Sequence, residues 1–288
     1  MKADKTSRTA QYMAFFRALE TRQRERLFAD PYAIHFLDSK LRIVTHLSQF
    51  SLIAKYIFNT INKKIPGALS SGIARTKYID SLLEKAVSNG VEQVIILGAG
   101  FDTRAVRLNF LQSIPVIEID HPNTSNFKAE IYKNRIGQIP ENVKFLQIDF
   151  NKQNLDQLAL EHNLDFSKPT AVIWEGVTNY LTEEAVKSTF VFISKFAANS
   201  HIIFTYVHKD ILINPESFLG GKKLLEDLEK IEEHWTFGFL PEELPSYLNK
   251  FQIRLLEDLG ANEYRKRFLP KRSEKGYEFY RTAIGIKE

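Results

Sequence analysis

The 288-residue chain contains no cysteine. That excludes a disulfide framework and any thiolate-ligated metal site, and it fits a cytoplasmic protein. Long apolar runs are missing too. Nothing approaches the roughly 18 uninterrupted apolar residues of a membrane-spanning helix. The opening MKADKTSRTAQYMAFF carries charges without an apolar stretch long enough for a secretory leader. Charge of one sign is scarcely in excess: 39 Lys and Arg against 35 acids leave +4, weak grounds for a nucleic-acid partner. Pro, Gly and Ser do not gather into linkers, and no repeat or low-complexity tract breaks the chain. What remains is an ordinary soluble composition. Its 44% hydrophobic share suffices for one large core, so residues 1–288 read as a single domain with decorations.

The pattern along the chain changes twice. Residues 8–64 read as helices. RTAQYMAFFRALETRQRERLF spaces apolar residues helically among charges, ADPYAIHFL offers Asp30 as an N-cap with Pro31 at the first helical position, and THLSQFSLIAKYIFNTI reads as a third helix. SSGIARTKYIDSLLEKAVS at 70–88 is a further amphipathic helix, stopped by Asn89-Gly90. Five short apolar, β-branched runs follow: QVIILGAG, PVIEID, NVKFLQIDF, PTAVIWEG and SHIIFTYVH. Helical stretches separate them. Strands apolar on both faces, alternating with helices, predict an α/β fold with a mostly parallel sheet wrapped by helices. Residues 215–250 read as helical, with a helix starting at LPEEL near 240. FQIRLLEDLG and YEFYRTAIGIK predict two antiparallel edge strands, with 261–276 as the loop between them.

In an open parallel sheet, ligands bind beyond the carboxyl ends of the strands. The sequence places Gly98, Asp120, Asp149 and Glu175 at four such ends. Each has a plain structural alternative: a tight turn for the glycine, a helix N-cap for an acid. Four in register point to a ligand site. The stretch VIILGAGFDTR lacks one thing that a dinucleotide site wants. Thr103 stands where Gly-x-Gly-x-x-Gly would put its third glycine. Asp120, about twenty residues past the turn, suits the hydroxyls of a ribose. Asp149 with Phe150 suits an adenine, the carboxylate accepting from the exocyclic amine. Glu175 on the same rim favours a cation over a phosphate. An adenosine that carries positive charge and no phosphate meets these terms, and S-adenosylmethionine is such a molecule. Its carboxylate needs a cationic partner, for which Arg75 in ARTKYID is the candidate; a surface helix arginine is the rival reading.

The segments SRTAQYMAFFRALE, FADPYAIHFL, RTKYID, QVIILGAGFDTRAVRL, IEIDHPNTSNFK, VKFLQIDF and WEGVTNYLTEEAV resemble the leucine carboxyl methyltransferase family. The resemblance is closer to its bacterial branch of S-adenosylmethionine-dependent O-methyltransferases, polyketide-type enzymes included. It implies a class I methyltransferase (Rossmann-like) fold with a seven-stranded sheet. It also implies a helical N-terminal lid over 1–69, a core over 70–288, and a helical insertion at about 210–250. It places Arg75 on the methionine carboxylate, Gly98 on the methionine part, Asp120 on the ribose, Asp149 and Phe150 on the adenine, and Glu175 on the amine side. In the family's turn motif, Asp102 and Arg104 read as a local ion pair. No metal is implied.

Methyl transfer from a sulfonium has a neutral leaving group, so positioning and exclusion of water carry the catalysis. A carboxylate acceptor needs no base. A hydroxyl acceptor does, and His121, His208 and His234 are the candidates, each with a bland structural alternative; no catalytic residue is assigned. Tyr12, Phe15, Phe16, Tyr32 and Phe36 could close over the acceptor, although helical spacing makes some of them core. The expected acceptor is a small, polyketide-like molecule bearing a carboxylate or hydroxyl, with no membrane partner. A protein C-terminus or a tRNA base is the alternative. An NAD-dependent oxidoreductase is opposed by Thr103 and Glu175. An RNA-binding reading rests on the basic run Arg265 to Arg272.

Overall fold

The computed structural model describes residues 8–149 and 153–288. All seven expected strands form. They are β1 (Gln93–Leu97), β2 (Val116–Asp120), β3 (Val143–Gln147), β4 (Thr170–Trp174), β5 (His201–Val207), β6 (Ile253–Gly260) and β7 (Tyr280–Lys287). Their order in the sheet is β3-β2-β1-β4-β5-β7-β6. β1 pairs in parallel with β2 and with β4, and the parallel run extends to β3 on one side and β5 on the other. β7 runs antiparallel between β5 and β6. Chain order therefore reverses between β1 and β4, which opens a crevice at their carboxyl ends.

β1, β4 and β5 are buried along their whole length, as strands covered on both faces must be. One face packs on α7 (Leu155–His162), α8 (Glu183–Ile193) and α11 (Leu244–Asn249) through Leu158, Phe190 and Leu248. The other face meets α4 (Ala68–Ser88) through Ile79, Leu83 and Ala86. The N-terminal helices α1 (Arg8–Thr21), α2 (Ser39–Leu47) and α3 (Ser51–Lys64) lie outside α4. Phe15, Phe16 and Phe36 are buried there, and Phe36 stacks on Phe101 with centroids 4.9 Å apart. Most of the aromatic set expected to close over an acceptor is thus core, while Tyr12 is half exposed.

Four expectations need correction. Residues 45–61 are not one helix: the chain breaks at 48–50, where Ser48 turns its hydroxyl onto the Thr45 carbonyl and competes with helical bonding. ADPYAIHFL forms only a 3₁₀ turn at Ala33–Phe36, although Asp30 does accept from the Tyr32 and Ala33 amides. The stretch 215–250 is α-helical only at α10 (Gly221–Lys230) and α11, with a 3₁₀ turn at Pro215–Ser217, and LPEEL starts no helix until Leu244. His234, read as helical, lies in the irregular stretch between them. Residues 261–268, read as loop, form α12 (Ala261–Phe268). Glu263 accepts from the Gly260 amide at 2.6 Å and caps the start, and Tyr264 and Arg265 turn inward. The charged face of α12 hid a helix that packs on α4 through Tyr78 and Tyr264.

Candidate active site

Four of the six residues singled out on the rim or near it come to the carboxyl ends of adjacent parallel strands. Gly98 follows β1, Asp120 ends β2, Asp149 lies two residues past β3, and Glu175 follows β4. Phe150 lies outside the described residues. Gly98 and Glu175 flank the crevice where strand order reverses. Gly98 has φ +65°, and a Cβ there would collide with Val177 Cγ2. Only glycine lets the turn after β1 lie against the loop after β4. Gly100 (φ +47°) continues the turn. Its amide, with that of His121, points at the Asp120 carboxylate. Burial pushes the Asp120 pKa up, partly offset by these two amides. A carboxylate held this way keeps further acceptor capacity for a diol. At Asp149 the backbone is pinned: its amide donates to Gln153 Oε1 and its carbonyl accepts from the Gln153 amide, both at 2.9 Å.

Arg75 is no surface arginine. It projects from α4 into the crevice and is 3% exposed. Its Nε meets Glu175 Oε1 at 2.9 Å, its Nη2 lies 3.4 Å from Met13 Sδ, and its guanidinium stacks 4.5 Å over the Tyr280 ring. The other Glu175 oxygen is held by Arg104 Nη2 at 2.9 Å. Burial alone would raise the Glu175 pKa, but Arg104 and Arg75 outweigh it and hold it below the usual value. Glu175 is therefore a carboxylate at neutral pH, gripped by two guanidiniums.

Beneath the rim lies a buried charge network that the spacing of residues did not reveal. Arg104 also bonds Asp80 at 2.8 Å and pairs with Asp102. That confirms the local ion pair of the turn motif, and burial is outweighed by Arg104 so that the Asp102 pKa falls to about 2. Arg107 forks onto both Asp80 oxygens at 2.7 Å. Asp30 Oδ2 accepts from Arg17 Nε at 2.8 Å and from the Thr103 hydroxyl at 2.6 Å. Arg17 reaches on to the Phe101 carbonyl. Thr103, the residue in place of a third glycine, thus ties the turn to the N-terminal segment. The available signal was the run of Arg104 and Arg107 one helical turn apart, with Asp80 on the helix before β1 and Asp30 in the segment after α1 as partners.

Two histidines are occupied locally. His121 caps α6 (Pro122–Ile131), its Nδ1 accepting from the Asn123 amide at 3.3 Å, and His208 Nδ1 accepts from the Asp210 amide at 3.3 Å. Tyr180, from the loop after β4, donates to Glu233 Oε2 at 3.1 Å, and Thr9 of α1 donates to the same oxygen. The first helix and the late insertion therefore meet at Tyr180. Arg265 of the basic run is buried, donating to the Gly276 carbonyl at 2.7 Å and to Ser71 Oγ at 3.2 Å. Arg267 forks onto Glu257. Among the described residues, no group of three or more His, Asp or Glu gathers as a metal site would. Nor is any described helix long and apolar enough to cross a membrane.

A reversed-order parallel sheet with an antiparallel β7, a glycine turn after β1 and an acid ending β2 defines the class I methyltransferase fold. A protein of Thermobifida fusca assigned as a methyltransferase shares the architecture. It has a TM-score of 0.59 at 17% identity, over 95% of this chain and 94% of that one. The leucine carboxyl methyltransferase family model matches residues 10–194. A protein of Mycolicibacterium paratuberculosis, assigned as an S-adenosyl-L-methionine-dependent methyltransferase, is 30% identical over 73% of this chain and 68% of its own length. One of Mycobacterium bovis with the same assignment is 30% identical over 67% of this chain, and the match spans 64% of its own length. The chain belongs to the leucine carboxyl methyltransferase family of S-adenosylmethionine-dependent methyltransferases.

Proposed function

We propose that the rim binds S-adenosylmethionine and that its methyl group passes to an oxygen of a small acceptor. The observation that carries the reading is the Arg75–Glu175 pair at 2.9 Å across the switch point. A bound α-amino acid end is a zwitterion. Entering this pair, it exchanges one ion pair for two, its carboxylate on Arg75 and its ammonium on Glu175. Arg104 keeps Glu175 charged and aimed while that exchange occurs. Asp120 then takes the ribose hydroxyls and the Asp149 segment the adenine. The sulfonium methyl would project past Gly98 and Val177 towards Tyr180.

The acceptor is read as a carboxylate or hydroxyl of a small molecule. The two histidines that cap local backbone, His121 and His208, have accepting nitrogens already engaged. That favours a carboxylate, which needs no base. Glu233, bonded to Tyr180 at 3.1 Å, supports the hydroxyl reading, since its carboxylate could take the proton.

Thermal-shift titration with S-adenosylmethionine, S-adenosylhomocysteine and NADH tests the donor. A ligand at about a hundred times its Kd adds roughly 2.7 kcal/mol. Stabilisation by NADH alone would sink the reading. Labelled methyl transfer into candidate acid and phenol acceptors then tests the acceptor. A methyl ester releases methanol in alkali, an ether does not, and label found only on nitrogen would refute oxygen transfer.

A further inference from the structure

We infer that the exposed apolar side chains of the consecutive helices α2 and α3 form a docking surface for an anionic lipid bilayer. Six large apolar side chains stand exposed on it: Ile43, Leu47, Phe50, Leu52, Ile53 and Tyr56. They are not scattered. Ile43 and Leu47 lie one turn apart on α2, Phe50 occupies the N-cap of α3, and Leu52 and Tyr56 lie one turn apart on α3. Leu52 is 83% and Tyr56 73% exposed. Six exposed large apolar side chains within fourteen residues mark an interaction site.

Charge selects the occupant. No Asp or Glu occurs between Ser39 and Ile79. The two helices carry Lys40, Arg42, Lys55, Lys63 and Lys64, of which the four lysines are exposed. Neighbouring elements add cations to the same region. Arg22 Nη2 lies 3.3 Å from His46, and Arg272, paired with the buried Glu20 at 4.0 Å, stands 5.7 Å over the Phe58 ring. Asp38, at the N-cap of α2, is spent on the Leu41 amide. Two copies meeting through this face would set like charges together, which disfavours a symmetric dimer. Exposed apolar residues interspersed with exposed lysines are the composition of helices that lie in the headgroup plane, apolar side chains in the acyl boundary and cations at the headgroups. The expectation of no membrane partner rested on the lack of a spanning segment, and helices that lie on the surface leave that observation intact. α3 packs on α4, which carries Arg75. The docking face is thus one helix away from the candidate active site, but the inference stands independently of the acceptor.

The test is co-sedimentation of the full chain with vesicles of phosphatidylcholine, with and without phosphatidylglycerol. Expected is pelleting with the anionic vesicles only, weakened by added salt. Leu52→Glu combined with Tyr56→Glu should weaken it at least tenfold, and Lys55→Ala or Lys63→Ala on the order of fivefold each. All four positions are exposed, so the melting temperature and its shift with S-adenosylmethionine should stay as in wild type. Equal binding to neutral vesicles, undiminished binding of the double variant, or no binding at all would overturn the inference. So would a concentration-dependent dimer abolished by Leu52→Glu, or capture of an acidic protein while vesicles are ignored.

Discussion

Replacing Asp30 with alanine would leave two buried guanidiniums facing an apolar methyl. Asp30 has no exposed side-chain surface. Oδ2 accepts from Arg17 at 2.8 Å and from Thr103 at 2.6 Å, and Arg107 stands 3.9 Å away. Oδ1 serves the amides of Tyr32 and Ala33. Removing one partner of a buried ion pair costs about 3–5 kcal/mol, because the remaining charge is stranded. For a chain of this size each kcal/mol lowers the melting temperature by about 2 °C, so a loss of roughly 6–10 °C is expected. Thr103→Ala removes a single charge-assisted bond and should cost about 1.5–3 kcal/mol. The pH dependence has a definite sign. Burial would raise the Asp30 pKa, but Arg17 and Arg107 outweigh it and the pKa is lowered from 3.8. The contribution is therefore complete above the unfolded-state value and is lost as pH falls through the folded one. Urea melts of wild type and Asp30→Ala should differ fully at neutral pH, and the difference should begin to shrink as pH falls below about 4. A difference under about 1 kcal/mol at neutral pH, or one undiminished in acid, would refute the argument that this carboxylate clamps the N-terminal segment to the glycine turn.

Other expectations concern the rim and the sheet. Asp120→Ala should abolish detectable binding of S-adenosylmethionine in calorimetry while the far-ultraviolet circular dichroism stays unchanged; wild-type affinity would remove the ribose role. Gly98→Ala combines a positive φ with a collision at Val177, so donor affinity should fall more than tenfold, with partial recovery in Gly98→Ala combined with Val177→Ala. Burial, opposed by Lys128, pushes the Glu118 pKa from 4.5 up to about 7. A raised carboxyl pKa stabilises below the unfolded value and loses that contribution as pH rises through the folded one. The slope of stability against pH between about 4.5 and 7 should therefore flatten in Glu118→Gln, and an unchanged slope would count against the shift.

Much of this was legible because strand ends are local features. Gly98, Asp120 and Glu175 each follow or close a β-branched run whose length and apolar character mark a buried strand, and parallel order brings such ends together without further information. The antiparallel edge pair was legible for the same reason. Arg75 could not be placed by pattern, since an arginine on an amphipathic helix looks the same whether its head reaches water or Glu175. The Asp30–Thr103 bond spans 73 residues and the Arg104–Asp80 bond 24. Such pairings depend on how helices dock, which hydrophobic period does not encode. α12 was missed because its sequence, ANEYRKRF, is charged outward and its inward face is a tyrosine and an arginine rather than leucines.

The place of β7 bears on the order in which the chain acquires structure. β7 is made after β6 yet sits between β5 and β6, paired with β5 from Tyr280 to Ile286 and with β6 from Arg281 to Lys287. Until it arrives, β5 has an open edge and β6 has no strand to pair with. From Val207 to Tyr280 the intervening chain must therefore be synthesised while an apolar strand edge waits. Such a sheet closes late, through contacts distant in sequence, which slows folding and lengthens exposure to edge-to-edge association. A chain halted before Tyr280 would present that edge permanently, a predicament that a nascent-chain chaperone would be well placed to relieve.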